Sequence, residues 1–136
     1  MLPDRYIEAP QTLGQHIRKR RTDLGLLQRE TAIRIGVKKD TIYNWEHGVE
    51  PELRFIPKII DFLGYIPLDC PKDPLGRLGY YKFINGLSYE GLGARTGIHF
   101  EQLRAWLTGK TKPSEKSLRR INIMLRDSGH EELLKL

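Results

Sequence analysis

A chain of 136 residues, 39% hydrophobic and 29% charged, can bury the core of one ordinary domain or two very small ones, which excludes disorder throughout. Its 23 lysines and arginines outweigh 17 acidic residues, and the resulting charge of +6 favours a polyanionic partner, either nucleic acid or an anionic membrane surface. No window approaches the ~20 apolar residues that cross a bilayer, and "MLPDRYIEAP" lacks the apolar stretch of a signal peptide, so a cytoplasmic protein is expected.

In chain order, Leu13, Ile17 and Leu24 space out one face of a first helix over about 12–24, with Gly25 free to take the positive φ of a helix end. A second helix is predicted over about 28–35, stopped by Gly36. A third covers about 38–47, with Ile42 and Trp45 on its inner side and His47 before Gly48. The segment "LRFIPKIIDFLG" supplies a fourth, in which Pro57 must either start a helix or break one. Then "GYIPLDCPKDP" sets Pro67, Pro71 and Pro74 close together, a semi-rigid connector. The single cysteine, Cys70, lies in it and reads as a spectator thiol.

The pattern then repeats. Gly25, Gly36, Trp45 and Gly48 recur as Gly86, Gly97, Trp106 and Gly109 at a constant offset of 61 residues. Leu26, Val37 and Ile42 recur as Leu87, Ile98 and Leu103, and Ala32 becomes Gly93. Helices are predicted at about 75–85, 88–96, 99–108 and 114–127, the last with Ser114 as N-cap. The tail "HEELLKL" either extends that helix or docks a partner through Leu133, Leu134 and Leu136. The organisation expected is all-α: 1–66 a first domain, 67–74 a linker and 75–136 a second, degenerate domain.

Two short helices joined by a turn containing glycine meet at a steep angle, and the small Ala32 or Gly93 permits the close approach. The later helix of the first copy then turns Lys38, Lys39, Asp40, Thr41, Tyr43, Asn44 and His47 outward. The stretch "LGLLQRETAIRIGVKKDTIYNWEHG" resembles the phage-repressor-like, or XRE-type, helix-turn-helix domains. That resemblance implies two tandem bundles of about four to five short helices each, with the third helix of the first copy in the major groove of double-stranded DNA. It makes Lys39, Asp40 and Asn44 the base readers, through guanine O6 and N7, cytosine N4 and adenine N6 and N7. Asp40 is equally read as a salt-bridge partner or a helix cap. Gln28, Lys38, Thr41, Tyr43 and His47 would meet phosphates. Of "RKRR", Arg18 to Arg21, the resemblance gives Arg21 a structural ion pair with Glu46 and leaves the others beside the groove or solvated. His16 and His130 have no assigned role.

The second copy departs where readout would sit. Phe100, Glu101 and Ala105 replace Lys39, Asp40 and Asn44; Tyr89 replaces Gln28; Lys82 and Leu107 replace the ion pair. Phe100, Gln102, Lys110 and Lys112 are its candidate DNA contacts, and the alternative is a surface for a homodimer or another protein. The function implied is a repressor-like, sequence-specific regulator of prokaryotic or phage type. The competing reading is an antitoxin-like adaptor that keeps the fold and binds protein. Four scattered histidines and one cysteine give no catalytic or metal-binding constellation, so no enzyme activity and no cofactor are expected; Glu30 reads as a solvated charge.

Overall fold

A computed structural model describes residues 9–127, and the chain divides into two compact units, Met1–Pro67 and Leu68–Leu136. Every regular element among the described residues is helical. The positions proposed for the tail, Leu133, Leu134 and Leu136, lie outside the described residues, as do His130, Glu131 and Glu132.

The first unit contains α1 (Leu13–Asp23), α2 (Gln28–Ile35), α3 (Lys39–Glu46), a 3-10 turn (Leu53–Phe55) and α4 (Ile56–Leu63). Thr12 caps α1, its hydroxyl accepting from the Gln15 N–H at 3.1 Å. Glu30 is not a merely solvated charge: its Oε1 accepts from the Leu27 N–H at 2.9 Å, closing the first turn of α2. Gly36 ends α2 at φ +88, where a side chain would be strained. Lys38 and His47 flank α3 as its caps rather than belonging to it. Pro57 starts a helix: it sits in the first turn of α4, where its missing N–H costs nothing.

Ile17, Ala32, Ile35, Ile42, Trp45, Ile56, Ile59 and Leu63 are buried in this unit. Each large aliphatic among them contributes about 1.5–3 kcal/mol by leaving water. Leu24 corrects the expected apolar face of α1: it is the C-cap residue, past the last helical turn, and 41% exposed. Where α1 crosses α3 the backbones nearly touch, because a Cβ on Gly14 would lie 1.8 Å from the Trp45 carbonyl oxygen. That crossing fixes how α3 stands on the unit.

The second unit contains α5 (Pro74–Ile84), α6 (Tyr89–Thr96), α7 (Phe100–Leu107) and α8 (Glu115–Asp127). Pro74, expected in the linker, opens α5 instead. Asp73 is the N-cap, its Oδ2 accepting from the Gly76 N–H at 2.8 Å, and a proline at the first helical position needs no donor. Ser114 Oγ accepts from the Ser117 N–H at 3.2 Å, capping α8. Leu78, Tyr81, Leu92, Ile98, Leu103, Trp106, Ile121 and Leu125 form the core. The α6–α7 crossing requires Gly93, whose added Cβ would approach the Ile98 carbonyl oxygen to 2.8 Å.

Candidate nucleic-acid interface

The site begins with Glu46 at the end of α3. Its side chain is fully buried, and such a carboxylate is tolerated only when its charge is met. Arg21 of α1 supplies a bidentate pair: Nε donates to Oε2 at 2.6 Å and Nη2 to Oε1 at 2.9 Å. Gln28, the first residue of α2, donates its side-chain amide to Oε1 at 3.2 Å. Arg18 Nε stands 3.9 Å from the same oxygen. One carboxylate therefore ties together the elements that set the angle between α2 and α3.

In front of this tie lies a cleft of about 580 Å³, with Arg18, Gln28, Arg29, Lys39, Tyr43 and His47 on its lining. With Arg21 behind, four cationic side chains share it with one carboxylate, so the field within it attracts anions. The amides of the first turn of α2 open nearby and add a partial positive charge. The rest of the outward face of α3 continues from the cleft: Lys38, Asp40 and Asn44 are exposed and Thr41 is half-buried.

Residues 17–69 match the helix-turn-helix family. They form a helix-turn-helix domain. The match covers 53 residues of the chain, and the family is one of DNA-binding regulators. No curated protein and no solved structure matches the chain.

Within the helix-turn-helix domain, the cleft gathers Gln28, Lys39, Tyr43 and His47, whereas Lys38, Thr41, Asp40 and Asn44 stand along the adjoining helix face. Asp40 neither caps α3 nor joins an ion pair among the described residues. Tyr43 and His47 stack at a centroid distance of 3.9 Å and 22°. His47 Nδ1 donates to the Tyr43 carbonyl at 2.7 Å, which fixes the ring and leaves Nε2 for an outside partner.

Sequence reading missed Arg29 and left Arg18 between a place beside the groove and solvent; the structure puts both on the cleft lining. Arg29 adjoins Gln28 at a helix start, and Arg18 shares the Arg21 face at a spacing of three, so a signal was present. The other members of "RKRR" are neither groove residues nor simply solvated: Lys19 pairs with Asp23 at 3.2 Å, and Arg20 Nε donates to the Phe62 carbonyl at 3.4 Å, tying α1 to α4. His16 also has a role, its Nδ1 hydrogen-bonding the Tyr65 hydroxyl across 2.7 Å. Burial pushes the His16 pKa below its ordinary value. The Cys70 thiol is pushed up by burial, against the opposing pull of Arg77, which makes it a poor nucleophile.

The second unit fills the corresponding place differently. Lys82 Nζ lies 4.5 Å from the centroid of the Tyr89 ring and the Arg104 guanidinium 5.2 Å from it. Arg104 also lies 5.8 Å from the Phe100 ring, and Phe100 stacks on His99 at 4.6 Å. Where the helix-turn-helix domain has a buried carboxylate and an open cleft, this unit has cations laid on aromatic rings. Burial lowers the Lys82 pKa, with Glu90 opposing. Phe100 is half-buried, while Gln102, Lys110 and Lys112 are exposed. No helix among the described residues is long and apolar enough to cross a membrane.

Proposed function

We propose that the chain is a repressor-like transcriptional regulator that binds double-stranded DNA sequence-specifically, with α3 of its first unit in the major groove. The observation that carries this reading is the cationic cleft continuous with the exposed face of α3. Phosphate enters the cleft against Gln28, Tyr43 and His47, with Lys38 and Thr41 meeting the backbone from the start of α3. Lys39, Asp40 and Asn44 then reach base edges. No bond is made or broken, and regulation follows from occupancy of the site.

In the second unit the cation–aromatic stacks leave few groups able to read bases. Lys110 and Lys112 supply sequence-independent affinity there, with Phe100 and Gln102 beside the duplex, and specificity rests on the first unit. Selection of bound sequences from a random duplex pool tests this division. The wild-type chain should select one motif, and Glu101→Ala should select the same one. If Glu101→Ala changes the motif and Asn44→Ala does not, the assignment is reversed.

A further inference from the structure

The two units treat one pair of equivalent positions differently. In the second unit Arg95 has a partner inside the fold: its Nη1 donates to the Tyr81 hydroxyl at 3.1 Å, and its guanidinium lies 5.9 Å from the centre of the Tyr81 ring. At the offset of 61 residues Arg95 corresponds to Arg34 and Tyr81 to Arg20, so the first unit sets a second cation where the second unit has the partner. The Arg34 side chain makes no ion pair or hydrogen bond among the described residues.

Arg34 stands on an open pocket of about 550 Å³ bounded by the ends of α1 and α2 and by α4, with Arg20, Arg34 and Lys58 as its cations, Asp61 as its one carboxylate, and Leu24 and Phe62 in its apolar lining. The pocket shares no lining residue with the cleft beside α3. Two of the cations also serve helix ends. Arg20 Nε donates to the Phe62 carbonyl at 3.4 Å, and Lys58 Nζ stands 3.6 Å from where a Cβ on Gly36 would lie, at the C-terminal end of α2. The second unit keeps the latter arrangement, with Arg120 Nη2 4.0 Å from the equivalent point on Gly97. Support of a helix end therefore accounts for Arg20 and Lys58 but not for Arg34, and like charges gathered without a counter-charge repel. A local arrangement that costs stability without return inside the fold points to a ligand.

We propose that this pocket binds a small organic phosphate, its phosphate against Arg34, Lys58 and Arg20 and its apolar or aromatic group on Leu24 and Phe62. Three cations and one carboxylate leave the lining at +2, which a single phosphate monoester of about −2 offsets. A guanidinium offers a phosphate two parallel N–H donors, and a pocket of this volume holds a small-molecule ligand. Asp61 accepts from a hydroxyl or amino group of the ligand and selects against a second anionic group. The site does not depend on DNA, so it stands or falls separately from the DNA reading.

The test is a nuclear magnetic resonance titration of the full chain, without DNA, against phenyl phosphate, inorganic phosphate and the monoanionic phenyl sulfate, with the Gly36 amide as reporter of the pocket. Phenyl phosphate should move the Gly36 signal saturably in the millimolar range or below, and more tightly than either other anion. Arg34 and Lys58 are exposed, so Arg34→Ala and Lys58→Ala should keep the fold, which far-ultraviolet circular dichroism verifies. Each should weaken binding by about tenfold or more, whereas Lys116→Ala, which removes the same charge from the exposed surface of α8, should leave it unchanged. Arg20→Tyr, which recreates the pairing of the second unit, should weaken binding likewise by giving Arg34 an internal partner. The proposal is overturned if the Gly36 signal does not respond, if Arg34→Ala binds as wild type does, if Lys116→Ala weakens binding as much as Arg34→Ala, or if phenyl sulfate binds as well as phenyl phosphate. A DNA duplex that moves the Gly36 signal and displaces phenyl phosphate would also overturn it, by making the pocket a second contact to the DNA backbone.

Discussion

Arg21→Ala removes two of the three hydrogen bonds that the buried Glu46 carboxylate accepts, leaving the Gln28 amide at 3.2 Å and Arg18 at 3.9 Å. Breaking a buried pair by removing one partner costs about 3–5 kcal/mol, because the stranded charge keeps its desolvation penalty. Arg18 offsets part of that by moving in, and water reaches Glu46 from the cleft, so a loss of about 2–3 kcal/mol is expected. For a unit of this size that lowers the melting temperature by on the order of 10–20 °C. The assay is a thermal melt followed by nuclear magnetic resonance, with the indole signals of Trp45 and Trp106 as separate reporters of the two units. The Trp45 signal should disperse early and the Trp106 signal should keep its wild-type midpoint. Replacing both partners, Arg21→Met with Glu46→Leu, should recover most of the loss, since the stranded charge is gone. An unchanged Trp45 midpoint combined with much weaker DNA binding would refute the reasoning and make Arg21 a phosphate contact.

Gly14→Ala should destabilise the first unit by about 3 kcal/mol, the upper end of overpacking costs, because the new methyl meets the Trp45 backbone rather than a movable side chain; denaturant titration checks it. Asn44→Ala should flatten base preference at one base pair by about 1–3 kcal/mol, measured by competition among single-base operator variants. His16, whose pKa burial lowers from 6.5, binds fewer protons folded than unfolded; stability should therefore fall as pH drops below 6.5, and His16→Gln should flatten that slope in pH-dependent melts.

The helix ends were largely legible in the sequence because glycine marks them physically. Gly25, Gly36, Gly86 and Gly97 all have positive φ, a conformation other residues adopt at a cost, and the paired Trp45 and Trp106 are both buried at equivalent helix positions. Leu24 was misread because periodicity does not register that a helix has ended one residue earlier. Pro74 was misread because a proline that breaks a helix and one that opens it look alike until Asp73 is seen as the cap. The outward face of α3 was legible from the spacing of Ile42 and Trp45 on its inner side. The contacts of Gln28 with Glu46, His16 with Tyr65 and Tyr89 with Lys82 and Arg104 were not, since each depends on where folded elements meet.

The central claim, that the cleft beside α3 holds DNA phosphates, is tested most directly by the salt dependence of duplex binding by the full chain. Arg18, Arg29 and Lys38 surround or adjoin that cleft. If they neutralise about three phosphates, the logarithm of the affinity should fall against the logarithm of salt concentration with a slope of about −3, and Lys38→Ala should reduce that slope by about one. A flat salt dependence on every duplex tested, or a steep one left unchanged by Lys38→Ala, would contradict the account.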